Sequence, residues 1–192
     1  MRKKMAAVAI LLVIVAGMAF AQTPKRGGVL KMTSSKQGVL TKNFNPFSPA
    51  ALDSAIGCVY ETLIYFNNAD GSANPWLAES WSWSPDLKEI TFTLRPGIKF
   101  NDGTPLTAND VVFTTNLGKT NKALDVSGIW SEGLVSVNAI GTNKVVFKFE
   151  DVNVTTLEKF GSLIVVPSAI WSKVRDPLTW VGEDSPVGTG PF

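Results

Sequence analysis

The sequence has no histidine and one cysteine, Cys58. Without histidine, imidazole acid/base catalysis and histidine metal ligation are excluded within this segment. A lone cysteine forms no intrachain disulfide. Its neighbours Ile56, Gly57 and Val59 are apolar or small, so it is expected to be a buried structural thiol. An excess of one charge is lacking too. The formal net charge of +2 includes Arg2, Lys3 and Lys4 at the extreme N-terminus; without them 15 basic residues face 16 acidic ones, a net of −1. Such a balance carries no electrostatic footprint for nucleic acid. Past the N-terminal run there is no long hydrophobic stretch, internal repeat or low-complexity tract.

What is present begins with a tripartite export signal over residues 1–21. Arg2, Lys3 and Lys4 form the charged start and Ala6 to Val15 the apolar run; Ala19-Phe20-Ala21 is an A-x-A cleavage site. The uncharged stretch from Met5 to Gln22 is 18 residues, at the short edge of what spans a bilayer, so the cleavage site favours removal. No cysteine follows for lipid attachment. The whole chain is 45% hydrophobic, enough to bury a core.

Residues 22–27 read as a flexible lead-in and Gly28 to Thr33 as a short strand. Asn43 to Pro49 is a Pro/Asn/Ser turn with Phe44 and Phe47 expected to be exposed. Ala51 to Leu63 has helical spacing, and Ile64 to Phe66 reads as a strand before a turn at Asp70-Gly71. Trp81 and Trp83 share one face of a strand over 79–84. Ile90, Phe92 and Leu94 alternate with polar residues in its hairpin partner, 89–95. Asn101 to Pro105 is a dense turn cluster. Thr107, three residues before Asp110, has the layout of a capping box, with Leu106 and Val111 as its hydrophobic staple, so a helix is expected from Thr107 to about Lys119. A polar stretch over 120–133 contains Trp130. Leu134–Ile140 and Lys144–Glu150 read as a second hairpin, Val154–Phe160 as a short helix, and Leu163–Val166 as a buried strand ended by Pro167. Ser168 is placed to cap a helix through Trp171, and Pro177–Val181 reads as a helical turn.

Little of this resembles catalysis. Asp102 belongs in its Asn-Asp-Gly-Thr turn, and Asp110 suits a helix N-terminus. Gly188-Thr189-Gly190 lacks the lysine of a phosphate loop. No Ser, Cys or Lys stands beside a base. Core burial is expected for most of the six tryptophans. Trp130 and Phe47 sit in loop-like stretches, where burial and ligand stacking both stay open.

The motifs Leu77-Ala-Glu-Ser-Trp81, Ile90-Thr-Phe-Thr-Leu-Arg95, Gly97-Ile-Lys-Phe100, Asp102-Gly-Thr-Pro105 and Thr107-Ala-Asn-Asp-Val-Val-Phe113 resemble the signature block of the family 5 extracellular solute-binding proteins, the peptide, nickel and oligosaccharide receptors of ABC importers. Gly27-Gly28, Asn45-Pro46, Glu61-Thr62-Leu63, Val166-Pro167 and Pro186-Val-Gly-Thr-Gly-Pro-Phe192 extend the likeness over 27–192. Ser168 departs from the lysine usual after Val-Pro.

The resemblance implies an α/β, strand-rich fold of the periplasmic-binding-protein type, with two lobes that close on a ligand. Residues 22–192 would supply only its N-terminal part, the start of lobe I plus an inserted small subdomain. It implies a periplasmic receptor without catalysis or cofactor, consistent with the export signal expected to be cleaved after Ala21. Its partners would be a small-molecule ligand and the permease subunits, and it would act as a monomer. The ligand would be a peptide, or else a β-linked oligosaccharide. Carried onto this sequence, the ligand-facing residues are Asn45, Phe47, Ser48, Ala50, Leu52 and Trp130. The alternative of another class is a secreted carbohydrate-active hydrolase or binding module. It would need two of Glu61, Glu79, Asp102 and Asp110 paired in an open cleft.

Overall fold

The computed structural model describes residues 43–49, 51, 53–152, 155–181 and 186–191, all within one compact unit, 36–192. The export signal, the lead-in, the 28–33 strand, Ala50 and Leu52 lie outside the described residues.

The alternating stretches form one four-stranded antiparallel sheet. β3 (Ala78–Trp83) pairs with β4 (Glu89–Leu94), β4 with β6 (Lys144–Phe149), and β6 with β5 (Leu134–Ile140). Two hairpins local in sequence are thus joined through their inner strands. A smaller hairpin, β1 (Ile64–Phe66) with β2 (Ala73–Pro75), precedes it and turns through Gly71 at φ +73°. Glycine fits there because a side chain disfavours that conformation.

Period-2 alternation puts Ile90, Phe92, Val145, Phe147 and Phe149 on the buried face, all at most 2% exposed. Phe160 closes over it, its ring 4.6 Å from Phe92 and 4.7 Å from Phe147. Each of these side chains gives about 1.5–3 kcal/mol by leaving water. Trp81 lies opposite Phe92 and Trp83 opposite Ile90, half-buried against the same core.

The helix α2 (Ala108–Thr120) packs against β5 and β6. Its start is fixed by Asp110, which is 6% exposed. One carboxylate oxygen accepts from the Thr107 amide (2.8 Å) and hydroxyl (2.9 Å). The other accepts from the Ser168 amide (2.9 Å) and hydroxyl (2.7 Å). The acid thus clamps the helix N-terminus and also ties it to a segment 58 residues away.

Several expectations are corrected. Leu163–Val166 is not a strand: Ile164 bridges Thr62 and the Val165 amide donates to the Glu61 carbonyl, but the Pro167 ring and the turn at Gly161-Ser162 leave no room for a ladder. Ser168 opens α4 (Ser168–Trp171) with Pro167 at its cap position, and its hydroxyl serves Asp110. The helix α1 (Asp53–Val59) is shorter than its pattern, because the Val59 carbonyl accepts the Gly190 amide (2.9 Å). Cys58 is half-buried, not buried. The 120–133 stretch holds two 3-10 turns, Lys122–Leu124 and Trp130–Glu132, and buries Leu124 and Ile129. The short helix α3 spans Thr156–Lys159.

Candidate functional site

The Asn43–Pro49 turn is built from asparagines. Asn43 Oδ1 accepts the Asn45 amide (2.9 Å), and Asn45 Oδ1 accepts the Phe47 amide (2.9 Å). These are Asx turns, in which a short side chain replaces a backbone partner. Asn45 is fully buried, and its amide nitrogen donates to the carbonyls of Pro177 (2.7 Å) and Trp180 (2.6 Å). One side chain therefore stitches the turn to a segment more than 130 residues later.

Phe47 does not stand exposed as expected. It is 8% exposed, and its ring meets Trp171 edge-on at 5.1 Å. Trp171 in turn meets Trp180 edge-on at 4.7 Å. Phe44 is half-buried against the same cluster. Two prolines hold the loop, but burying an aromatic ring stabilises it more than exposure would. Ser48 is half-buried near Asn43, whose amide reaches its hydroxyl at 3.2 Å.

Pro46 and Phe47 line a cavity of about 20 Å³ with Thr114, Thr115, Leu124 and Leu163. That volume holds about one water molecule and no solute. Thr114 donates its hydroxyl to the Asp110 carbonyl and accepts from the Val166 amide. Trp130 is joined to this region through Thr115, whose carbonyl accepts its indole N–H at 2.7 Å. Lys119 lies 5.3 Å from the Trp130 ring centroid, a cation–π distance. Gly118 is needed there: a methyl group would come within 2.9 Å of Asp125 and Trp130. The structure thus gathers Asn45, Phe47 and Ser48 in one turn and places Trp130 beyond α2.

Two of the carboxylates singled out for a hydrolase, Asp110 and Asp102, are committed to local structure. Both oxygens of Asp110 are occupied and buried. Asp102 is exposed and accepts from the Thr104 hydroxyl (2.6 Å) and amide (2.9 Å), which hold its carboxyl below the usual range. Burial pushes the Tyr60 phenol up. Among the described residues no group of three His, Cys, Asp or Glu side chains converges on a metal site. No described helix is long and apolar enough to cross a membrane.

The Gly188–Gly190 turn explains its own sequence. The Asn101 amide donates to the Gly188 carbonyl at 2.9 Å, and the Asn101 side chain reaches Pro186 O at 3.0 Å. A methyl at Gly188 would run into the Val59 carbonyl, and one at Gly190 into that of Cys58. This backbone-on-backbone contact admits only glycine.

The sequence profile of the bacterial extracellular solute-binding proteins, family 5, matches residues 72–192. The chain belongs to this family. It is 30% identical over 134 residues to the nickel-binding periplasmic protein of Escherichia coli K12, a match covering 70% of this chain and 25% of that protein. It superposes on the mannohexaose-bound periplasmic oligopeptide-binding protein of Thermotoga maritima with a TM-score of 0.70 and 33% identity, over 78% of this chain and 28% of that one. The oligopeptide-binding protein AppA of Bacillus subtilis, solved with a nonapeptide, gives 0.65 and 26% over 79% of this chain and 31% of its own. The family member described here thus spans about a quarter of the length of the curated relative. Its mixed α/β fold is that of the periplasmic binding proteins.

One feature of this family member escaped the sequence: an open depression beside Trp180, floored by Ile170 and Val174. Its lining residues all lie within 170–180 and carry no motif.

Proposed function

We propose that this chain is the N-terminal part of a periplasmic receptor that delivers peptides to an ABC importer, closing two lobes around its ligand. Residues 1–21 are its export signal, cleaved after Ala21. Residues 22–192 form the start of lobe I and an inserted small subdomain. The receptor does no chemistry and needs no cofactor. It acts as a monomer and hands its ligand to the permease subunits.

The observation that carries this reading is the family match over 72–192 together with the fold shared with the B. subtilis peptide receptor. Within the 43–49 turn, Asn45 and Phe47 set the backbone from inside and Ser48 is the side chain proposed to meet the ligand; Ala50 and Leu52 are proposed as further ligand-binding residues. Trp130 adds an aromatic edge at α2. A second reading, a β-linked oligosaccharide as ligand, is favoured by the mannohexaose bound to the T. maritima relative, which is itself named for oligopeptides.

The test is calorimetric titration of the intact polypeptide containing this chain with a peptide pool, with manno- and cello-oligosaccharides and with a nickel chelate. Saturable heat with peptides is expected. Heat with the sugars alone would establish the second reading, and heat with nickel alone would replace both. Silence in every arm would sink the receptor reading.

A further inference from the structure

The depression beside Trp180 has a volume of about 520 Å³, within the range of small-molecule sites. Its floor is apolar: Ile170, Val174 and the Trp180 ring. Lys173 and Arg175 stand exposed on its rim. Among the described residues the ion pairs use Lys88, Lys148 and Lys159, not Lys173 or Arg175. The single carboxylate of the lining, Asp176, is exposed and engaged by its own loop. It accepts from the Leu178 amide at 3.0 Å and the Thr179 hydroxyl at 2.7 Å. Neither rim cation forms an ion pair with it, and the lining carries two cations to one carboxylate.

The aromatic wall is rigid. Trp180 is braced edge-on by Trp171, and Trp171 by Phe47. The Trp180 carbonyl is held by Asn45 and its amide by the Asp176 carbonyl (3.1 Å). A wall that does not have to be ordered on binding loses little entropy to its ligand.

We infer that this depression is a binding site for an aromatic carboxylate, its ring lying against Trp180 and Val174 and its carboxylate between Lys173 and Arg175. A guanidinium matches a carboxylate in a forked geometry, an ammonium adds a point charge, and an indole offers a flat apolar face. The same chemistry is offered by a free aromatic acid and by the C-terminus of a peptide ending in an aromatic residue. The site does not depend on the receptor reading above.

The experiment titrates the intact polypeptide containing this chain with indole-3-acetate and with indole-3-acetamide, which keeps the ring and loses the charge. A tripeptide ending in phenylalanine is titrated as free acid and as amide. Binding is followed by the tryptophan indole N–H signals in ¹H–¹⁵N spectra, assigned with Trp180→Phe. Expected is a saturable shift of the Trp180 signal with a Kd of roughly 0.1–1 mM for an acid. Each amide should bind about 10-fold more weakly, and Lys173→Gln/Arg175→Gln should remove that preference without moving the melting temperature, since both side chains are exposed. Whichever acid binds more tightly names the source. The inference is overturned if acid and amide bind alike, if the neutralised variant keeps the preference, if the shift falls on another tryptophan, or if nothing saturates by about 10 mM.

Discussion

The sheet and the Asn45 turn are held together in opposite ways. Around Phe92, Phe147 and Phe160, stability comes from many apolar side chains supplied by β4, β6 and the end of α3, so the area buried decides and direction matters little. Around Asn45, Asp110 and Gly188, contacts join segments 50 to 135 residues apart through single hydrogen bonds or through backbones in contact. Few atoms are involved, and each has one acceptable position. The first region tolerates repacking; the second tolerates no change of chemistry.

That contrast can be broken most forcefully at Phe147. Phe147→Ala empties the middle of the three-ring cluster and should cost about 3–5 kcal/mol, read as a cooperative loss in thermal denaturation. Phe147→Leu should recover most of it, because volume is what the site requires. Next is Gly188→Ala, where the obstructing atom is the Val59 carbonyl; about 1–3 kcal/mol is expected. If Gly188→Ala melts like the parent, the claim that this turn is backbone-limited fails.

Asn45→Ala should cost about 2 kcal/mol, since it strands the Pro177 and Trp180 carbonyls and the Phe47 amide. The loss should be local. Amide exchange should quicken at 43–47 and 176–181 and remain slow in β4 and β6. Uniform acceleration would mean the two regions are one cooperative unit and would remove the contrast.

The smallest effect is the pH dependence at Asp102. The Thr104 hydroxyl, then the Thr104 amide, lower its folded pKa below the ordinary value. A depressed carboxylate stabilises the fold above its unfolded pKa, and that contribution is lost as pH falls through the folded pKa, below about pH 4. Asp102→Asn keeps an acceptor but not the charge. Its stability deficit should be present at pH 7 and shrink in the acid range; a deficit independent of pH would refute the assignment. Asp102 is fully exposed, so the effect is slight.

These same differences decide what was legible beforehand. The hairpins 79–95 and 134–150 and the Thr107 cap could be read because their patterns lie within a few residues of each other. Leu163–Val166 could not. Four apolar residues before a proline look like a strand, and nothing local says that only Thr62 is available as a partner. Phe47 stayed open between burial and exposure for a related reason. A loop aromatic looks exposed until Trp171, 124 residues on, arrives to cover it. The depression beside Trp180 had no local signal at all.

By itself, then, the sequence determined the strands, the turns, the capped helix and the family, because period-2 burial, positive-φ glycines and helix caps are local rules. The tertiary structure alone decided that Asn45 would fasten the 176–181 loop and that Asp110 would join two distant segments. Hydrogen bonds and electrostatic fields depend on distance in space, and separation along the chain does not encode it.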